Sequence, residues 1–144
     1  MQSYQDDPSI LDQDILLRRV PMQPGSQIVW NANLGCWRPS SAAFKDHPDG
    51  SPMSIALKPV LDKLNLPVDH PLNGYECTHA LASITAGLAR TNGQEVARDA
   101  LPPGDPAHGV VVGPKKRASR ELARAAAWVV PPNIPPPSGA GAEY

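Results

Sequence analysis

HALASITAGLARTNGQEVARD, residues 79–99, is the stretch on which the fold turns. With a helical period, Leu81, Ile84 and Leu88 form one stripe; with a period of two, Ala80, Ala82, Ile84, Ala86 and Leu88 form one strand face. The β-branched pair Ile84-Thr85, followed by Gly87, disfavours a helix interior, because branched side chains lose rotamer freedom there and glycine loses the most backbone freedom. Asn92-Gly93 then tips the balance. Both residues tolerate positive φ, which the two-residue turn of a β-hairpin requires. The expectation is two antiparallel strands, at 81–90 and 94–98, and hence a sheet protein rather than a helical bundle.

Working outward, DILLRRV (14–20) reads as a strand or helical turn stopped by Pro21. SQIVW (26–30) has strand composition, and NANLG after it is a turn cluster. WRPSSAAF (37–44) is expected as the start of an edge strand, bent at Pro39, with Trp37 and Phe44 in the core. PMSIAL (52–57) alternates as a half-buried strand, and KPVLDKLNL is a short helix with Pro59 in its first turn, where a missing N–H costs nothing. AHGVVVG is a strand whose continuous valines imply burial on both faces.

GPKKRASRELARAAAWVV (113–130) carries the strongest helical pattern: Ala118, Leu122, Ala125 and Val129 on one face, Arg117, Arg120, Glu121 and Arg124 on the other. Pro131-Pro132 ends it. The sum is an α+β fold: a small antiparallel sheet, one long C-terminal helix packed on it, and a short helix after the PMSIAL strand. The expected organisation is a flexible acidic arm (1–13), a single domain (14–130), and a Pro/Gly-rich disordered tail (131–144).

Aromatics make up only 5% of the chain, so the core must be aliphatic; 18 prolines in 144 residues require short elements joined by many loops. The first residues are acidic and lack an apolar run, and nothing approaches the ~18 consecutive apolar residues of a membrane span. A soluble, cytoplasmic protein is expected, with no membrane association. Cys36 and Cys77 have no metal-binding spacing and are expected as reduced thiols, although their pairing stays open. The net charge of -1 conceals an acidic start (Asp6, Asp7, Asp12, Asp14) and a basic later stretch (Lys115, Lys116, Arg117, Arg120, Arg124), an arrangement suited to a polyanion or to mutual attraction.

Three groups of residues could carry chemistry. Lys115, Lys116 and Arg117 sit where a helix begins, which is unfavourable for the helix unless an anion is close by. Arg38 can fork onto a carboxylate or phosphate, with Ser40 and Ser41 adding hydroxyls and Arg19 a further phosphate contact. His108 is a candidate acid–base group, Asp105 its candidate partner, and Ser54 a positioning hydroxyl. His79, His108 and Cys77 could share a sheet edge, but their spacing matches no metal-ligand pattern, and neither metal nor cofactor is expected.

WRPSSAAF, GSPMSI, ARD, DPAHGVVVGPK and AAAWV together are similar to a family of small bacterial proteins with no assigned activity, over residues 14–130. LLRRV, GCWRPSS and SPMSIALKPVLDKL, in that order, more distantly resemble the RES and ADP-ribosyltransferase-like group. That resemblance implies that Arg18 or Arg19 contacts a nicotinamide dinucleotide. The glutamate used by that group has no counterpart, since Glu76, Glu95 and Glu121 stand in other contexts.

Two functions are therefore expected. The first is an adaptor or assembly subunit that engages an acidic or phosphate-bearing protein or polyanion through its basic C-terminal helix and the Arg38 loop. The second is a small enzyme on a nucleotide-like substrate, ADP-ribosyltransferase-like, with Arg19, Arg38 and His108 in one pocket.

Overall fold

The computed structural model describes residues 4–100 and 105–137. In chain order the elements are β1 (Ile15–Pro21), β2 (Ile28–Asn31), β3 (Cys36–Pro39), a 3-10 turn (Ser41–Phe44), β4 (Met53–Leu57), α1 (Lys58–Lys63), a second 3-10 turn (His70–Leu72), β5 (His79–Thr85), α2 (Ala86–Thr91), β6 (Glu95–Arg98), β7 (His108–Val112), α3 (Lys116–Ala125) and β8 (Ala127–Val130). Six strands form one antiparallel sheet in the order β6-β7-β4-β1-β5-β8, and β2 and β3 form a separate hairpin. The fold is α+β.

Both faces of the sheet are covered. Along β1, Leu16 and Val20 point into a cluster with Phe44, Ile28, Met53 and Leu122, while Leu17 points into a second cluster with Leu61, Leu72 and Leu81. This is the alternation a strand imposes. The first cluster is roofed by α3, the 3-10 turn and the hairpin, the second by α1 and the segment ending at Leu72.

The reading of 79–99 needs correction in its middle. The strand stops at Thr85, and residues expected as its second half form α2. Thr85 is the reason: its hydroxyl accepts the Leu88 N–H at 3.1 Å, an N-cap that starts a helix there. Gly87 follows from the same geometry, since a Cβ on it would lie 3.0 Å from the main-chain oxygen of Asp12. Asn92-Gly93 is a helix end, not a hairpin turn. Gly93 has φ +83°, its N–H bonds Arg90 O at 3.0 Å, and Gln94 N–H bonds Ala89 O at 3.0 Å. That is the paired pattern of a Schellman cap.

The C-terminal helix is also shorter than expected. It ends at Ala125, and Ala127–Val130 becomes an edge strand on β5. Trp128, Val129 and Val130 favour extended backbone, and an open sheet edge lay within reach. Nor is the acidic start an unattached arm. Ile10 is a core residue, 2% exposed, and Asp7 N–H bonds Val96 O at 2.8 Å. Arg90 binds Asp6 at 2.9 Å and Asp12 at 2.8 Å, so the acidic start meets a cation of α2 rather than those of α3. Of the expected disordered tail, residues 131–137 are described: Ile134 packs against the core and Asn133 N–H reaches Met22 Sδ. Residues 138–144 lie outside the described residues.

These contacts predict an acid limit to stability. Burial alone would raise the Asp6 carboxyl, but the Val96 N–H and Arg90 outweigh it and hold its pKa below the ordinary value. Ser9, through its hydroxyl and N–H, and then Arg98 do the same for Asp7. A carboxylate whose folded pKa is depressed binds more protons unfolded, so its stabilisation is present above the ordinary carboxylate range and is lost as pH falls through the folded value. Tm is expected to hold from neutral pH down to about pH 5 and to fall below about pH 4. Asp6→Asn should lower the neutral-pH stability by about 1 kcal/mol or less, given its exposure, and flatten that acid limb. Thermal unfolding of both proteins across pH 3–7 checks it.

One feature of the sheet positions the candidate site. β1 pairs with β5 through all seven of its residues, but with β4 only at Leu16–Leu57 and Leu17–Ala56. From Arg18 onward β1 and β4 part. The Arg18 guanidinium bridges the opening, its Nε donating to Ala43 O at 2.9 Å and its Nη1 to Ser54 O at 2.8 Å. The Ser54 carbonyl, on β4 beyond the last residue paired with β1, is thus satisfied by a side chain.

Candidate functional site

The split between β1 and β4 opens into a cavity of about 560 Å³, bordered by Arg18, Arg19, Ser54, Tyr75, His79 and His108. Two consecutive arginines in an apolar strand are its most unusual element. Because successive strand residues face opposite sides, Arg18 reaches the 3-10 turn after β3 while Arg19 reaches the loop after α1. There Arg19 donates to Pro71 O at 3.3 Å and lies 4.0 Å over the Tyr75 ring. Among the described residues neither arginine forms an ion pair with a carboxylate; their contacts are carbonyl oxygens and the tyrosine ring.

The electrostatic consequence is plain. Desolvation, with Arg19 adding to it and Asp46 opposing, pushes the Arg18 pKa down to about 10. Burial and then the two arginines also depress the His79 pKa. A desolvated cation with no carboxylate in direct contact and only Asp46 to oppose its cost is unfavourable, and an anion entering the cavity would relieve that cost.

On the opposite wall stands a hydrogen-bonded chain. His108 Nδ1 faces two acceptors, Asp99 O at 2.8 Å and Asp99 Oδ2 at 3.3 Å. Neither can donate, so Nδ1 carries the proton of the neutral ring. Nε2 is then a lone pair, and it accepts from Ser54 Oγ at 3.0 Å. β4 and β7 are paired with Ser54 opposite Val110 and Ala56 opposite His108, which sets the two side chains diagonally across the ladder. The Tyr4 hydroxyl also binds Asp99; loss of solvent and that carboxylate raise the phenol pKa.

The sequence candidates fall in several places. Ser54, His108 and Arg19 share the cavity, and Asp105 borders it too, although its link to His108 is through the backbone, His108 N–H to Asp105 O at 3.4 Å. Arg38 does not join them. Its guanidinium donates to Ala126 O at 2.7 Å and Ala123 O at 3.2 Å, closing the C-terminal end of α3. Cations there satisfy carbonyls that the helix leaves unpaired. Ser40 bonds Ser26 O, and Ser41 begins the 3-10 turn. Lys115 binds Asp46 at 3.0 Å together with the carbonyls of Val111 and Gly113, while Lys116 and Arg117 are exposed on α3. The expected grouping of Arg19, Arg38 and His108 is therefore corrected to Arg18, Arg19 and His108.

Arg18, Tyr75 and Asp99 were not marked as site candidates from their own chemistry, and His79 was weighed only as a metal ligand. The signal available for Arg18 was the placing of two charges inside an apolar strand; for the others, separated by long loops, there was none.

Cys36 and Cys77 are both free. Among the described residues, no group of three or more His, Cys, Asp or Glu could hold a metal ion, and no helix is long and apolar enough to cross a membrane. No protein-family model matches the chain, and neither a curated protein nor a solved structure does so.

Proposed function

We propose that this protein is a small enzyme that acts on a phosphate-bearing, nucleotide-like substrate in the split between β1 and β4. The observation that carries this reading is the pair Arg18 and Arg19, without carboxylate partners, at a cavity whose other wall holds Ser54 hydrogen-bonded to His108. Guanidinium groups bind phosphate through paired charge-assisted hydrogen bonds, which explains why two cations are retained in a strand otherwise built for the core. Tyr75, 39% exposed and in edge-to-face contact with His79, offers an aromatic surface for a base. The cavity volume is in the range of small-molecule sites. The described residues bordering it include Asp46 and Asp105 but no glutamate, so the reading does not extend to glutamate-based ADP-ribosyl transfer.

A second reading rests on a different surface. Arg117, Arg120 and Arg124 are exposed along α3, with Glu121 as a distant ion partner of Arg124 at 3.8 Å. That face suits an acidic protein or polyanion, as an adaptor would present it, though without Arg38.

One experiment separates the two. Thermal unfolding is followed with AMP, ADP, dinucleotides and short RNA and DNA, at low and high salt, for wild type and Arg19→Gln. The enzyme reading expects a nucleotide to raise Tm, by the equivalent of about 2.7 kcal/mol at a hundredfold excess over Kd, and the rise to be lost in Arg19→Gln. Stabilisation by nucleic acid alone, abolished by salt and indifferent to Arg19, would replace it with the α3 reading.

A further inference from the structure

We propose that Ser54 is a nucleophile toward phosphorus esters and anhydrides, with His108 as its base; this rests on the cleft accepting a phosphate-bearing substrate. Three observations converge on it. Ser54 Oγ donates to the one imidazole nitrogen that the His108 tautomer leaves unprotonated, at 3.0 Å. That is the contact through which a serine hydroxyl is activated, and the Asp99 contacts on the far side of the ring hold the ring in that orientation. Ser54 also borders the cavity rather than the core. Finally, Arg18 Nη1 holds the main-chain oxygen of Ser54 itself at 2.8 Å. Arg18 and Arg19 border the same cavity as Ser54, so a phosphoryl group held there by the arginines would lie in the space that Ser54 borders. Cations placed where charge develops also favour the transition state of such a transfer.

The step balances without any further reagent. Ser54 Oγ forms a bond to phosphorus as the bond from phosphorus to the leaving oxygen breaks. The Oγ proton passes to His108 Nε2 and from there to the leaving oxygen, releasing an alcohol or a phosphate. In the second half a water gives its proton to Nε2, its oxygen attacks phosphorus, the Ser54–phosphorus bond breaks, and the proton returns to Oγ.

The test uses the full chain and bis(4-nitrophenyl) phosphate, an anionic diester whose cleavage releases a coloured phenolate. A burst of one equivalent of phenolate is expected, with a 4-nitrophenyl phosphate adduct mapped to Ser54 by peptide mass spectrometry. Ser54→Ala should give neither. His108→Gln should slow adduct formation by about 10²–10⁴-fold, the usual range for loss of a general base. Saturating inorganic phosphate, which competes for the arginines, should slow the wild-type reaction; this keeps a test in hand if His108→Gln fails to fold.

Wild-type protein that gives no adduct at Ser54 overturns the proposal, and so does an adduct that forms equally fast in a folded His108→Gln. Nucleotide-induced stabilisation without an adduct would remove the covalent step and leave the substrate class standing. An adduct without any nucleotide response would keep Ser54 as nucleophile and remove the nucleotide.

Discussion

Phe44→Ala is expected to lower the free energy of unfolding by about 3–5 kcal/mol, the usual cost of emptying a large aromatic site that cannot collapse. Phe44 is fully buried, where β1, β4, the hairpin and α3 meet. Its main-chain oxygen also accepts from the buried Ser119 hydroxyl at 2.8 Å, which ties the 3-10 turn to α3. A domain of this size has about 5–15 kcal/mol in hand, so the loss is a large share of the total. Urea unfolding measures it, with the slope m checked for constancy. The effect should extend to function, because the same turn presents Ala43 O and Lys45 O to Arg18. A loss under about 1 kcal/mol would mean that the 3-10 turn does not close the core as described.

Arg18→Met is the second large effect, and it acts in two directions. The Ala43 and Ser54 carbonyls lose their donors, each at a cost of about 1–3 kcal/mol. Removing a desolvated charge that no carboxylate contacts directly offsets part of that. The net expectation is a loss of about 1–3 kcal/mol in basal stability, with complete loss of the nucleotide-induced rise in Tm. Arg19→Gln, which abandons only Pro71 O and the Tyr75 ring, should lose the nucleotide response with little change in basal Tm. Measuring both variants with and without ADP separates the two roles. An Arg18→Met protein that keeps its full response to ADP would make Arg18 a purely structural bridge across the split.

Much of the chain's architecture was legible in local chemistry. The alternation of PMSIAL and the valine run of β7 depend on neighbours in sequence, and both formed as strands where the pattern placed them, while α3 kept only Ala118 and Leu122 of its expected apolar stripe, with Ala125 exposed and Val129 in β8. What failed in 79–99 was a choice between two local signals. Thr85 as an N-cap and Asn92-Gly93 as a helix end are also local, but Gly87 makes sense only beside Asp12, a partner far away in the chain. AWVV at 127–130 belongs by pattern to the helix before it; the free edge of β5 makes it a strand. Arg38 could be read from sequence as a ligand-binding residue, and only the tertiary fold brings the end of α3 to its guanidinium.

For the candidate site, sequence by itself named Ser54, His108 and Arg19 as candidates, and Arg18 only through a resemblance. It could not assemble them, because side-chain chemistry is local whereas β4, β7 and the Asp99 end of β6 meet through long-range register. The tertiary structure alone decided that Ser54 Oγ and His108 Nε2 lie within hydrogen-bond distance, that Asp99 rather than Asp105 contacts the imidazole, and that β1 leaves β4 after two paired residues. That departure creates the cleft, and the half-buried Arg18 guanidinium stands in the opening, donating to the Ser54 carbonyl where backbone pairing between β1 and β4 has ended.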